Sequence, residues 1–153
     1  MVSLNDLIVA IDYSRSFKYI GLVAAKEHVI KTANFLNKTS WIKHIADLPK
    51  REKTVYLHRL PDRLAKVTKY LSRIRLFRNT KTCSEFVKIL NPAVVIVDPK
   101  LNPHIDYPRK VLEDRVKRRH EKILALLADN IAYYSYWVIE VRRKPGELNR
   151  ILK

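Results

Sequence analysis

Residues 7–11, Leu-Ile-Val-Ala-Ile, form an unbroken apolar run that stops at Asp12. A run this short, bounded by polar residues, predicts a strand buried on both faces. Ala93–Val97 repeats the pattern and stops at Asp98. Residues 17–25 are rich in β formers, and with a turn over 13–16 they predict a hairpin partner for the first strand. Residues 28–36 extend that meander as a third strand, and 136–141, Tyr-Trp-Val-Ile-Glu-Val, read as the last strand.

Between these runs the apolar period lengthens. Trp41, Ile45 and Leu48 share one face of a short helix capped by Thr39 or Ser40. Leu60, Leu64, Val67, Leu71 and Ile74 make one stripe of a longer helix with Pro61 in its first turn. Thr82-Cys83-Ser84-Glu85 is a capping-box pattern that opens a helix ending before Asn91-Pro92. A long helix is expected over about 109–134, with Leu112, Val116, Ile123, Leu127 and Tyr134 inward. Asp129 falls by helical phase with Arg115, Arg118 and Lys122 and reads as solvated or salt-bridged, whereas His120 reads as a core or boundary histidine. Glu147–Lys153 reads as one or two turns of terminal helix.

The resulting order is three strands, helices over about 39–91, a strand, a long helix and a strand. It predicts one α/β domain over residues 1–153. Its mixed five-stranded sheet has an antiparallel meander followed by parallel strands joined by helical crossovers.

Charge changes the functional picture most. The chain carries 31 Lys+Arg against 15 Asp+Glu, a formal charge of +16, which favours a polyanionic partner. Arg63, Lys66 and Arg73 stand in the first basic stretch. Arg115, Arg118, Arg119 and Lys122 stand in the second, and Arg15 and Lys18 flank the first turn. All nine are candidates for phosphate contact in DNA or RNA. Tyr56, Tyr70 and Tyr107 sit among cations and either stack on bases or pack the core. Two glycines exclude a Walker loop or dinucleotide fingerprint, and one cysteine, Cys83, excludes a disulfide framework. Cys83 reads as a small buried side chain. No apolar run reaches membrane-span length and no signal-peptide pattern opens the chain, so a cytoplasmic protein is expected.

The two strand-closing aspartates admit two readings. Each can bond the backbone of the turn that follows, or both can meet at one sheet edge and hold Mg²⁺ or Mn²⁺. Two motifs bear on the choice: the Asp12 strand with its continuation Tyr19-Ile20-Gly21-Leu22-Val23-Ala24, and Val94-Val95-Ile96-Val97-Asp98. Together with the element order they resemble the ribonuclease H-like superfamily, nearest in pattern to Holliday-junction resolvases of the RuvC and YqgF type. Ser14 departs from that pattern, which has glycine there.

The resemblance implies parallel neighbouring strands that set Asp12 and Asp98 side by side as catalytic metal ligands. It also implies an acid from a C-terminal helix, for which Glu147 is the candidate. It leaves a homodimer open. The expected function is nucleic-acid binding, with a metal-dependent nuclease or junction resolvase as the enzymatic form. The alternatives are a non-catalytic structural or assembly factor in a nucleoprotein complex and a basic protein-interaction module.

Overall fold

The structure, a computed structural model, describes residues 5–153. Five strands, β1 (Leu7–Ser14), β2 (Tyr19–Lys26), β3 (Arg73–Phe77), β4 (Val94–Val97) and β5 (Lys110–Leu112), form one mixed sheet in the order β3-β2-β1-β4-β5. β2 is antiparallel to both β1 and β3, while β4 runs parallel to β1 and β5 parallel to β4. The helices are α1 (Glu27–Ile30), α2 (Ala33–Lys38), α3 (Lys50–Ala65), α4 (Thr80–Leu90) and α5 (Arg119–Tyr136). The fold is thus α/β with an open mixed sheet. No helix among the described residues is long and apolar enough to cross a membrane.

Side-chain alternation divides the core. Val9, Ile11, Leu22, Val95 and Val97 point to the face covered by α4 and the loop through Leu101 and Ile105. Ile8, Ala10, Val23, Ile74 and Ile96 point to the other face, against α3 and α5. Helix α5 lies unusually close to the sheet at Gly21. A Cβ built there would sit 2.5 Å from the Ala128 carbonyl oxygen and 2.8 Å from the Ala132 nitrogen. Cys83 is buried, as its isolation in the sequence suggested, and burial pushes its thiol up to about 12.

Several elements differ from the sequence expectation. The third strand is not 28–36, which folds as α1 and α2. Thr32 caps α2 by accepting the Phe35 N–H, and both Ile30 and Phe35 are buried. The third strand is instead Arg73–Phe77, so the helical stretch expected over 39–91 is interrupted. Its Arg-Ile-Arg alternation buries Ile74 and exposes both cations, as suits an edge strand. The apolar stripe through Leu71 and Ile74 therefore spans two elements, and Pro61 sits inside α3 rather than in its first turn. Residues 41–48 hold only a 3₁₀ turn over Ile45–Asp47. Asn79, not Thr82, caps α4, accepting the Thr82 N–H at 2.8 Å.

The long helix begins at Arg119, ten residues later than expected, because β5 and a 3₁₀ turn over Glu113–Arg115 occupy the preceding chain. The β-rich run at 136–141 continues α5 as a π-helical turn, Trp137–Val141. The chain end is a 3₁₀ turn, Pro145–Arg150, after which Lys153 exchanges backbone hydrogen bonds with Ile74 on β3.

Between β1 and β2, Arg15, Ser16 and Phe17 all have positive φ, at 55°, 53° and 69°. Three non-glycine residues in that region cost of order 1–3 kcal/mol each. Contacts offset part of this. Phe17 meets Tyr13 edge-on at 4.6 Å, and the Arg15 guanidinium lies 3.9 Å from the Tyr136 ring centroid.

Candidate metal centre at three strand ends

Strand register alone brings the acids together. Ile11 pairs with Val97 across β1–β4, and Val97 pairs with Leu112 across β4–β5. One step beyond each lie Asp12, Asp98 and Glu113. Alternation turns all three to the α5 face, because Ala10, Ile96 and Val111 occupy the equivalent positions two residues earlier. One ligand oxygen of each carboxylate lies within 4.8 Å of the others, and among the described residues only these three acids cluster in this way.

Each aspartate bonds the backbone that follows it, and the two also meet at one end of the sheet. Asp12 Oδ1 accepts the Tyr13 N–H and Asp98 Oδ1 accepts the Lys100 N–H, each at 2.8 Å. In each residue Oδ2 is left for another ligand. Asp12 is the buried member at 6% exposure. Asp98 and Glu113 are half-buried and open on a cleft of about 550 Å³ that also reaches Asp114, Lys122 and Leu126.

Burial pushes the Asp12 carboxyl up to about 9, and the charges of Asp129, Glu113 and Asp98 add to the shift. Glu113 is raised in the same way, by burial first and then by Asp98 and Asp129, with His44 opposing. Burial and mutual repulsion thus both disfavour the charged form at Asp12 and Glu113. A divalent cation would relieve the repulsion, and a hard oxygen-only donor set fits Mg²⁺ or Mn²⁺.

Asp129 is not solvated. It is 6% exposed, accepts the Ile45 N–H at 3.3 Å and lies 3.5 Å from His44 Nε2. Desolvation raises its pKa, and His44 works against that. Its helical phase does match that of Lys122, but at Asp129 this side of α5 is covered by His44 and Ile45 rather than by bulk water. Next to it, Asn130 Nδ2 donates to the Lys43 carbonyl at 3.0 Å, and the Tyr56 hydroxyl donates to Asn130 Oδ1 at 2.6 Å. The 43–45 segment is thereby fixed to α3 and α5 beside the acids.

Glu147 does not join the centre. Its Oε1 lies 3.5 Å from Arg142 Nη2, in the terminal turn. The chain end bonds to β3, the sheet edge opposite β5. Glu113 takes the third place. It went unnoticed in the sequence because it follows an apolar run of only two residues, Val111-Leu112, inside a cation-rich stretch that reads as helix.

The candidate cations are dispersed. Lys122 lines the acid cleft, and Arg115 closes the 3₁₀ turn that begins at Glu113. Arg118 pairs with Glu27 at 3.6 Å, beside the His120–Glu27 contact at 3.0 Å that ties the buried His120 to α1. Arg119 opens α5. Because Arg115 and Arg118 precede α5, they share no helix face with Lys122. Arg63 and Lys66 lie at the end of α3, and Arg73 is on the far edge strand. Arg15 and Lys18 are on the β1–β2 turn, with the Lys18 carbonyl accepting from Arg78 Nε at 2.9 Å. Tyr107 is a packing residue, donating to the Pro92 carbonyl at 2.6 Å. No protein-family model matches the sequence, and no curated protein resembles it significantly.

Proposed function

We propose that this chain binds nucleic acid and hydrolyses its phosphodiester bonds at a Mg²⁺- or Mn²⁺-dependent centre of Asp12, Asp98 and Glu113, on a ribonuclease H-like framework. The observation that carries the proposal is the convergence of three carboxylates within 4.8 Å, just where the pairing of three adjacent parallel strands ends. The parallel neighbouring of β1 and β4 supports the ribonuclease H-like likeness, since that is the adjacency the resemblance implies. The excess of cations supports a polyanionic substrate.

In this proposal Asp12, Asp98 and Glu113 are the metal-holding residues. The bound ion would supply an activated water and charge stabilisation for phosphodiester cleavage. Lys122, at the cleft wall, attracts the phosphate toward the acids. Asp129 keeps His44 and Ile45 against α5. The Tyr13 backbone N–H holds Asp12 Oδ1, which would leave Oδ2 for the ion.

The test is cleavage of labelled single strands, duplexes and four-way junctions, as DNA and as RNA, with Mn²⁺ present. Cleavage is expected for at least one substrate, and D12N and E113Q are each expected to reduce it by at least 100-fold. Activity that survives D12N refutes the catalytic assignment. Salt-sensitive binding with no cleavage of any substrate would instead assign the chain a non-catalytic role in a nucleoprotein complex.

A further inference from the structure

The 43–45 segment separates two polar places. On one side His44 and Ile45 meet Asp129. On the other, Lys43 borders a depression of about 320 Å³ on the outer face of α3, walled also by Leu48, Arg51, Tyr56, Arg59 and Arg63, with Glu52 its single acid. A second depression, of about 300 Å³, adjoins it across Arg63 and is walled by Lys38, Trp41 and Lys66. Among the described residues, none of these six cations has a carboxylate within 4.0 Å. Unneutralised cations this dense repel one another and attract a polyanion. From Arg51 to Arg63 the α3 axis rises about 18 Å, room for several successive phosphates.

An aromatic platform lies within the same surface. Trp41 is half-buried, and its Nε1 donates to the Lys38 carbonyl at 2.7 Å. Its ring stands 6.1 Å from that of Tyr56 and 5.5 Å from the Arg63 guanidinium. A ring fixed in this way loses little freedom when a base stacks on it. Cations that track a backbone beside a fixed aromatic ring are the combination that suits unpaired nucleotides. A duplex presents phosphates but keeps its base faces stacked, and an acidic peptide offers no planar group to Trp41.

We propose that this shelf along α3 binds single-stranded nucleic acid, with phosphates on Arg51, Arg59 and Arg63 and a base against Trp41. The strand then passes the 43–45 segment toward Asp12, Asp98 and Glu113. The proposal rests on the nucleic-acid reading of that centre but not on its being catalytic.

The test is titration of dT12 and U12 in EDTA, so that strand binding is read without metal. The sequence has two tryptophans, so W137F leaves Trp41 as the only indole reporter. Its fluorescence is expected to be quenched by either oligonucleotide. Anisotropy of labelled dT12 is expected to show the same binding weakened by W41F in the otherwise native chain. The exposed double variant R51A/R59A is expected to lose at least tenfold in affinity. Its salt slope should fall by about 1.4, the value for two lost phosphate contacts on a single strand. Mn²⁺ binding by R51A/R59A should stay at the parental level, which separates failure of the shelf from failure of the acid centre. The proposal is overturned by unmoved Trp41 fluorescence, by R51A/R59A binding dT12 as tightly as the parent, or by duplex DNA or polyglutamate binding at least as tightly as dT12.

Discussion

Gly21 faces Asp12 across the β1–β2 ladder, and the space left by its missing side chain is filled by the backbone of α5. This close approach brings the helix, and with it Asp129, over the acid centre. In Gly21→Ala the new methyl would meet the Ala128 carbonyl oxygen at 2.5 Å, a backbone atom that moves only with its helix. The expected cost is about 3 kcal/mol, roughly 10 °C in Tm, by thermal denaturation. Because α5 must lift, the variant should also bind Mn²⁺ more weakly. An unchanged Tm would mean that the packing is looser than the geometry indicates.

Asp12 makes stability depend on pH with a definite sign. Its folded carboxyl holds a proton up to about 9, against an ordinary value of 3.8. Between those values the folded state binds more protons than the unfolded chain, so stability falls as pH rises through that window and levels off above it. The slope for one group is at most about 1.4 kcal/mol per pH unit. Glu113 and Asp129 are shifted in the same direction and add to it. Tm measured from pH 5 to 9 should therefore decline, and decline less in Asp12→Asn. Saturating Mn²⁺ should flatten the curve at its upper end. A Tm that rises across this range would contradict the assignment of Asp12 as a buried, repelled acid.

Tyr56 joins the acid centre to the basic shelf. Its hydroxyl donates to Asn130 Oδ1 and accepts the Lys43 N–H at 3.0 Å, and burial pushes the phenol up to about 12. Tyr56→Phe leaves both partners without that oxygen, at an expected cost of about 1–3 kcal/mol by chemical denaturation. Amide exchange should quicken at Lys43 and Ile45, while β1 and β4 keep their protection. Unaltered exchange at Lys43 would show that the hydroxyl does not fix the segment.

The β1–β2 turn stores strain that glycine would release. Ser16 is exposed with φ 53°, so Ser16→Gly should stabilise the fold by about 1 kcal/mol, read as a higher urea midpoint. A lower midpoint would mean that the entropy glycine adds to the unfolded chain outweighs the strain.

Two of the three acids are legible in the sequence because each closes a run of five apolar residues, a pattern that period and length identify together. β1 and β4 pair in parallel, the adjacency that the resemblance implies. Glu113 was hidden because β5 is three residues long and gets its strand geometry from pairing with β4, a non-local contact that no local pattern records. The same cause misplaced the third strand. Val-Ile-Lys-Thr at 29–32 has strand composition, but Thr32 caps α2, and the β2 edge is instead taken by Arg73–Phe77. Asp129 is paired, one of the two expectations for it, but with His44 rather than with the cations of its own stretch, because the 43–45 segment covers it, a non-local contact that helical phase does not record. Glu147 is the candidate because it would open a terminal helix, and the route of that segment along β3 is set by tertiary contacts alone.

The central claim is that Asp12, Asp98 and Glu113 together hold a divalent cation. Crystals soaked in Mn²⁺ at pH 8 and measured at the manganese edge test it directly. The expected result is an anomalous peak among the three carboxylates, about 2.1 Å from an oxygen of each, that is absent in Asp12→Asn. No peak at millimolar Mn²⁺, or an equal peak in the Asp12→Asn crystal, would contradict it.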